Sequence, residues 1–327
     1  MLKIIGSFSG HLIWVVIISF LTITIVLSPI MTFSQFVDTQ QENNNSSIKV
    51  VILTFGNGPK SQYTEAKPIL DKYGFKASFF VVCNWISDSN EDKDEDNSHM
   101  TWQDIETLYN EGHNLGAKSL NHKDLTTLSA SELDFEVAQS KKCLTDQNID
   151  ARVFGTPYGK GWDNPTVIDT IAKYYDFAIT GFSKLMYLNC DGWNDQEKGE
   201  EEEDGDGSNT QTDCRTYSDD GTLTYANRYS IREWSHDSAN EEYDNDNEMY
   251  QEFVNVVNSQ ENFNGDGIIR SIPIIAYHDL DYGYRTPDST NVNLFDAEMK
   301  YLYDNGFTVI TMADLGYDEN TNQLYIR

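Results

Sequence analysis

The sequence predicts an α/β fold built on a parallel sheet, and three observations carry that reading. The segment Val50-Val51-Ile52-Leu53 is apolar at every position, as a parallel strand covered on both faces must be. Strand-like and helix-like patterns alternate along the chain instead of clustering, which calls for crossover helices between parallel strands. Turn formers such as Gly58-Pro59, Asn164-Pro165 and Gly306 punctuate the alternation.

Taken in order, the first strand ends at the turn Gly56-Asn57-Gly58-Pro59. Ala66, Ile69, Leu70 and Tyr73 then form a helical stripe. The second strand is read over 76–83 (KASFFVVC), followed by an acidic loop over 84–99. A helix over 101–109 has Thr101 as its cap, and Leu115-Gly116 mark a short third strand. Ser129 opens the next helix in a capping box with Glu132. The fourth strand falls at 152–154, and Asn164 caps a helix whose first turn holds Pro165. The fifth strand covers 177–179. Phe295, Met299 and Leu302 stripe a late helix, and 308–310 is read as the last strand, with 317–327 left as a tail.

The stretch 184–245 interrupts this rhythm with a polar, acidic insertion. Long loops inside compact domains are functional or disordered, and 197–207 is read as disordered. Asp204-Gly205-Asp206 hints at calcium, but no bidentate Glu follows at the twelfth place, so the EF-hand reading fails.

Composition narrows the class. The chain has 327 residues, enough to bury a large core. Lys plus Arg total 23 against 53 Asp plus Glu, a net charge of −30, which repels phosphate backbones and excludes a nucleic-acid partner. The apolar run over 12–31, with Lys3 before it, has the layout of an exported chain's leader, so 1–35 is read as a signal peptide or a membrane anchor. Uncleaved, it would make the membrane a partner. Residues 36–47 read as a polar linker, in which Asn44 and Asn45 each begin an N-x-S/T sequon. Four cysteines suit such a chain. Cys190 and Cys214 share the insertion and are expected to pair, while Cys83 and Cys143 either pair or stay as buried thiols.

Five short motifs carry a family resemblance. They are Thr54-Phe55-Gly56-Asn57-Gly58-Pro59; the run from Gly112 to His122; Phe154-Gly155-Thr156-Pro157-Tyr158-Gly159; Ser230-Ile231-Arg232-Glu233-Trp234; and Ile274-Ile275-Ala276-Tyr277-His278. In order and spacing the chain resembles the polysaccharide deacetylases, the NodB-homology family. That family writes them T-F-D-D-G-P, G-x-x-I/L-G-x-H-S/T-x-x-H, F-R-x-P-F/Y-G, D-x-x-D-W and an apolar strand ending in His. The resemblance covers 48–316 and implies a distorted (β/α) barrel of about seven strands.

The resemblance also implies a site that is degenerate in this sequence. Gly56 stands at the place of the general base, and His278 at that of the general acid. Asn57, Lys118 and His122 stand where an Asp and two His would hold a divalent metal. Gly155 replaces the Arg that orients the base. Pro157, Tyr158 and Trp234 map to walls of the substrate groove. A lysine ammonium offers three donors and no acceptor, so Lys118 opposes a dication. Individually, His122 and His278 are as readily structural residues at strand ends, and Tyr158 and Trp234 as readily packing residues. His113, Lys141 and Lys142 look like surface residues.

The expectation is an exported, extracytoplasmic relative that binds N-acetylated glycan without metal and is catalytically impaired. One alternative is an active deacetylase using zinc or another divalent metal, with Ser119, Asp124, Asp279 or Asp281 recruited to the chemistry. The other is a structural envelope protein.

Overall fold

The computed structural model describes residues 48–87, 98–188, 226–237, 245–264, 267–283, 288–321 and 323–327. Cys190, Cys214, the acidic run at 197–207 and the apolar stretch at 12–31 lie outside them. Among the described residues no helix is long and apolar enough to cross a membrane.

Seven parallel strands close into a barrel: β1 (Val50–Phe55), β2 (Ser78–Val81), β3 (Asn114–Ala117), β4 (Val153–Gly155), β5 (Phe177–Phe182), β6 (Ile231–Ser235) and β7 (Ile274–Tyr277). The ring closes where Ile52–Phe55 of β1 pair with Ile274–Tyr277 of β7. An eighth strand, β8 (Thr308–Ile310), pairs with Val50–Ile52. Since Ile52 pairs with both β7 and β8, β8 lies on the edge of β1 that faces β2 and extends that edge below it.

Alternation along each strand builds two cores, because successive side chains face opposite sides of a sheet. Val50, Ile52, Phe80, Val153, Ile179, Ile231, Ile274 and Ile310 fill one cluster, the barrel interior. Val51, Leu53, Phe55, Phe79, Leu115, Phe154, Ile275 and Tyr277 join the other, beneath the helices. Those helices are α1 (Lys67–Tyr73), α2 (Trp102–Asn110), α3 (Ala130–Asp146), α4 (Pro165–Ala172), α5 (Asp246–Ser259) and α6 (Val292–Asp304). The expected caps are present: Thr101 and Ser129 each close a capping box, with Asp104 and Glu132, and the Asn164 side chain accepts from the N–H groups of Thr166 and Val167.

Several expectations need correction. β6 lies inside the stretch read as an insertion, so the interruption is shorter than its composition suggested. Helix α5 was not read at all, although Met249, Phe253, Val256 and Val257 recur at helical spacing and are buried. β8 is not the last strand. Leu315–Asp318 and Gln323–Ile326 form an antiparallel hairpin across the range read as a tail, and Leu315 and Leu324 are buried against the inner core.

His113 is not a surface residue. It is 2% exposed, and its Nδ1 accepts the Ala77 N–H at 3.2 Å. Lys141 is also drawn inward, donating to the carbonyl of Ala151 with its ammonium 5.2 Å from the Tyr175 ring centre. Burial, assisted by the charge of Lys76, lowers the His113 pKa from 6.5 to about 4. The folded state therefore holds this imidazole neutral where the unfolded chain would protonate it. Stability is full above pH 6.5 and falls as pH drops from there through 4, by an amount on the order of 3 kcal/mol. Urea titrations at pH 7 and pH 4.5 should show this loss, and His113→Gln should flatten it. An unchanged slope in that variant would remove His113 as the cause.

Cys83 and Cys143 form a disulfide across a sequence separation of 60. The bridge ties the segment after β2 to α3. On chain-entropy grounds a loop of this length is stabilised by about 4 kcal/mol. A non-reducing digest should yield the Cys83–Cys143 linked peptide, and Cys143→Ser should lower the urea midpoint. Free thiols at both positions in oxidised protein would refute the pairing.

Candidate functional site

Parallel barrels place their sites at the C-terminal ends of the strands. Here β1 delivers Gly56 and Asn57, β3 delivers Lys118 and Ser119, β4 leads to Pro157 and Tyr158, β6 leads to Asp237, and β7 ends at His278. The expected convergence holds for these strands. The mouth is stitched by Gln62, which is fully buried and whose amide donates to the carbonyls of Gly56 at 2.6 Å and His278 at 2.8 Å.

The centre is crowded around Gly56. A Cβ placed there would stand 2.7 and 2.8 Å from the Cδ2 and Nε2 of His278, and 2.9 Å from the Lys118 Nζ. Real Cβ atoms almost never approach so closely, so His278 and Lys118 occupy the space into which a base at position 56 would project. The orienting position is tight but not closed. The Phe80 ring lies 3.3 Å from where a Gly155 Cβ would be and 2.5 Å from that of Gly116.

Lys118 is 7% exposed, and no ion pair or hydrogen bond holds its ammonium among the described residues. Burial pushes its pKa down; Glu233, Asp288 and Asp237 act in the opposite sense from a distance. His122 lies between Trp85 and Tyr158, with ring centres 5.0 and 4.7 Å away. Burial, then the charges of Lys118 and His278, lower its pKa to about 4, so it is a neutral imidazole at ordinary pH. Its backbone N–H bonds the Ser119 Oγ at 2.8 Å. Asn57 (φ 71°), Ser119 (φ 65°) and His122 (φ 57°) all sit in the left-handed region, so the turns holding the site are locally strained.

His278 has a partner that sequence reasoning missed. Its Nδ1 lies 3.1 Å from Asp237 Oδ2, which also accepts from Ser235 Oγ at 2.8 Å. The signal available was an acid three residues beyond Trp234, the end of the fourth motif. Glu233 accepts from Thr54 Oγ1 at 2.7 Å. The acids weighed as substitutes are engaged elsewhere. Asp124 accepts from Lys160 at 2.7 Å, Asp279 from Ser61 Oγ, and Asp281 from the Gly283 N–H at 2.6 Å.

Trp234 is not a groove wall. It is 6% exposed, lies in the core under the helices, and stacks 4.7 Å from the His236 ring. Strand alternation explains this, since Glu233 and Ser235 take the opposite face. Pro157 is buried too, whereas Tyr158 is 55% exposed at the mouth.

The metal positions can be tested on their own chemistry. Asn57 Oδ1 and His122 Nε2 are buried atoms without hydrogen-bond partners, which a cation could satisfy. The third position holds an amine, and none of the three is a carboxylate. One amide oxygen and a single imidazole beside a lysine do not fit a divalent metal, whose protein sites supply at least three ligands drawn from several imidazoles, thiolates or carboxylates. Asp71, Glu111 and His113 form another cluster of possible ligands. The Lys67 ammonium already sits 2.6 Å from both acids, and His113 Nδ1 accepts a backbone N–H, which leaves the proton on Nε2.

The structure thus defines a closed parallel (β/α) barrel with a histidine–carboxylate pair at its C-terminal mouth. A family model described as "Polysaccharide deacetylase" matches residues 43–178. The chain is 26% identical over 140 residues to "Putative polysaccharide deacetylase YxkH" of Bacillus subtilis (strain 168), covering 42% of this chain and 47% of that protein. It is 31% identical over 94 residues to the peptidoglycan-N-acetylmuramic acid deacetylase PdaA of the same organism, covering 28% of this chain and 31% of the relative. The chain thus spans less than half the length of either relative. Among solved structures, a family 4 acetyl xylan esterase from Clostridium thermocellum, in complex with a cobalt ion, aligns at TM-score 0.48 and 16% identity, covering 81% of this chain and 89% of that one.

Proposed function

We propose that this protein is an exported, non-catalytic polysaccharide deacetylase relative that binds N-acetylated glycans at the barrel mouth. The observation that carries this is the closure of the base position, where His278 and Lys118 stand within 2.9 Å of any side-chain carbon at Gly56. Hydrolysis of an acetamide needs a base to activate water, and no carboxylate can enter there without displacing both residues.

The same groups suit binding. The Lys118 ammonium donates to a carbonyl or hydroxyl oxygen. Asn57 Oδ1 accepts from a hydroxyl or amide N–H, His122 Nε2 accepts or donates according to its tautomer, and their lack of internal partners leaves that capacity to a ligand. The exposed Tyr158 ring offers a sugar face a stacking surface. The apolar stretch at 12–31 and the Cys83–Cys143 disulfide support export, since disulfides persist in oxidising compartments.

The second reading, an active metal-dependent deacetylase, would need a cation to satisfy those two unpartnered atoms despite the neighbouring Lys118. Elemental mass spectrometry of desalted protein separates the two when combined with calorimetry on chito-oligosaccharides. Glycan binding with no bound metal is the expected result. Stoichiometric zinc, cobalt or nickel would overturn it in favour of the enzyme. Neither metal nor glycan would leave the barrel as an envelope scaffold.

A further inference from the structure

Beside the mouth, a cavity of about 630 Å³ opens around Trp162, flanked by Thr126, Lys160, Asp163, Asn164 and Pro165. We propose that this cavity is a second sugar subsite, holding a further unit of the same neutral glycan chain that the mouth binds. The proposal rests on the glycan-binding reading and extends it to a place outside the five motifs, save for Gly159 at the rim.

Trp162 is half-buried and fixed. The Arg232 guanidinium lies 4.6 Å from its ring centre, and a Cβ on Gly181 would stand 3.6 Å from its Cδ1. A ring already held in place loses little freedom when a ligand stacks on it. The loop beneath it is also held: Gly161 at φ +99° packs so closely on Val167 that a Cβ would stand 2.9 Å from Cγ1. Only glycine fits there, and the turn positions Trp162 directly before α4.

The polar groups around the indole are mixed. Asn164 spends its Oδ1 on capping α4, and its Nδ2 has no partner among the described residues. Asp163 is exposed and likewise has none. The Lys160 ammonium is held by Asp124 at 2.7 Å. An indole lining a cavity beside separate donors and acceptors matches a polyol ring better than a purely apolar ligand. The protein's net charge of −30 disfavours an acidic glycan.

The two subsites are contiguous. Lys160 Nζ lies 5.9 Å from the Tyr158 ring centre, and that ring is 4.7 Å from His122. A chain bound at His122 can cross Tyr158 and Lys160 to reach Trp162.

Calorimetry with N-acetyl chito-oligosaccharides from dimer to hexamer tests this. The intact protein should bind hexamer more tightly than dimer. Trp162→Ala should lower the hexamer-to-dimer affinity ratio about tenfold. Trp162→Phe, which keeps an aromatic face, should restore most of it and guards against misfolding. Length-dependent binding untouched by Trp162→Ala would overturn the subsite. So would dimer binding without length dependence, and both results leave the mouth reading intact. No binding of either oligosaccharide would defeat the mouth reading and the subsite with it.

Discussion

Incubated with N-acetyl chito-oligosaccharides and zinc, the unmodified chain is expected to release acetate no faster than a chelator-treated control. The triple variant Gly56→Asp, Asn57→Asp, Lys118→His is expected to bind zinc and turn over weakly. Loss of a general base alone removes a factor of about 10² to 10⁴. Loss of the metal then takes away the Lewis acid that would polarise the carbonyl. The substitutions are interdependent. Gly56→Asp by itself drives a Cβ to 2.7 Å from His278 and 2.9 Å from the Lys118 Nζ, so it should destabilise the fold without recruiting metal. Lys118→His vacates one of those contacts and supplies an imidazole. Asn57→Asp keeps a residue type that tolerates the left-handed backbone at φ 71°. Turnover stays low because Gly155 supplies no orienting Arg, and Phe80, 3.3 Å from where a side chain there would begin, crowds that position. Robust metal-dependent activity in the unmodified chain would sink the non-catalytic reading. Zinc binding without turnover in the triple variant would shift the blame to position 155.

Much of the barrel was legible in the sequence because strands such as β1, β2 and β7 are largely apolar runs and several helices carry explicit caps, whereas β6, with Arg232 and Glu233, was not. Thr101, Ser129 and Asn164 each cap as their residue types demand. The motif order also placed Gly56, Lys118 and His278, and the structure brings these three together. What failed was inference from residue type without knowledge of which face is covered. Trp234 suggested a groove wall, but strand alternation turns it under the helices. His113 suggested solvent, but the Ala77 N–H just before β2 needed its ring nitrogen. Asp237 could not be assigned as the partner of His278 because the two lie 41 positions apart and meet only once β6 and β7 pair. The filling of the base's space by two distant side chains is a tertiary fact with no local signature.

Replacing Glu298 with Ala should be the most destabilising single substitution outside the apolar core. Glu298 projects from α6, is fully buried, and bonds two side chains from the barrel wall. One oxygen pairs with His236 Nε2, and the other accepts from the Tyr277 hydroxyl at 2.8 Å. Burial and the adjacent Glu298 charge push the Tyr277 hydroxyl's pKa well up, so it stays protonated and donating. His236 and Tyr277 each precede a residue of the mouth pair, Asp237 and His278, so the carboxylate braces that pair from beneath. Removing it strands a buried imidazole and a buried hydroxyl, at a cost of about 3–5 kcal/mol. In a domain of this size that is a fall in melting temperature on the order of 10 °C. Glu298→Gln keeps an acceptor for Tyr277 and should lose roughly half as much. Tyr277→Phe combined with Glu298→Leu removes a donor and its acceptor together, so it should cost less than the sum of the single changes. Thermal melts of these variants, with Tyr277→Phe and Glu298→Leu also made singly, decide the matter. If Glu298→Ala melts within 2 °C of the parent, a difference worth only about 1 kcal/mol, the buried carboxylate is not a brace.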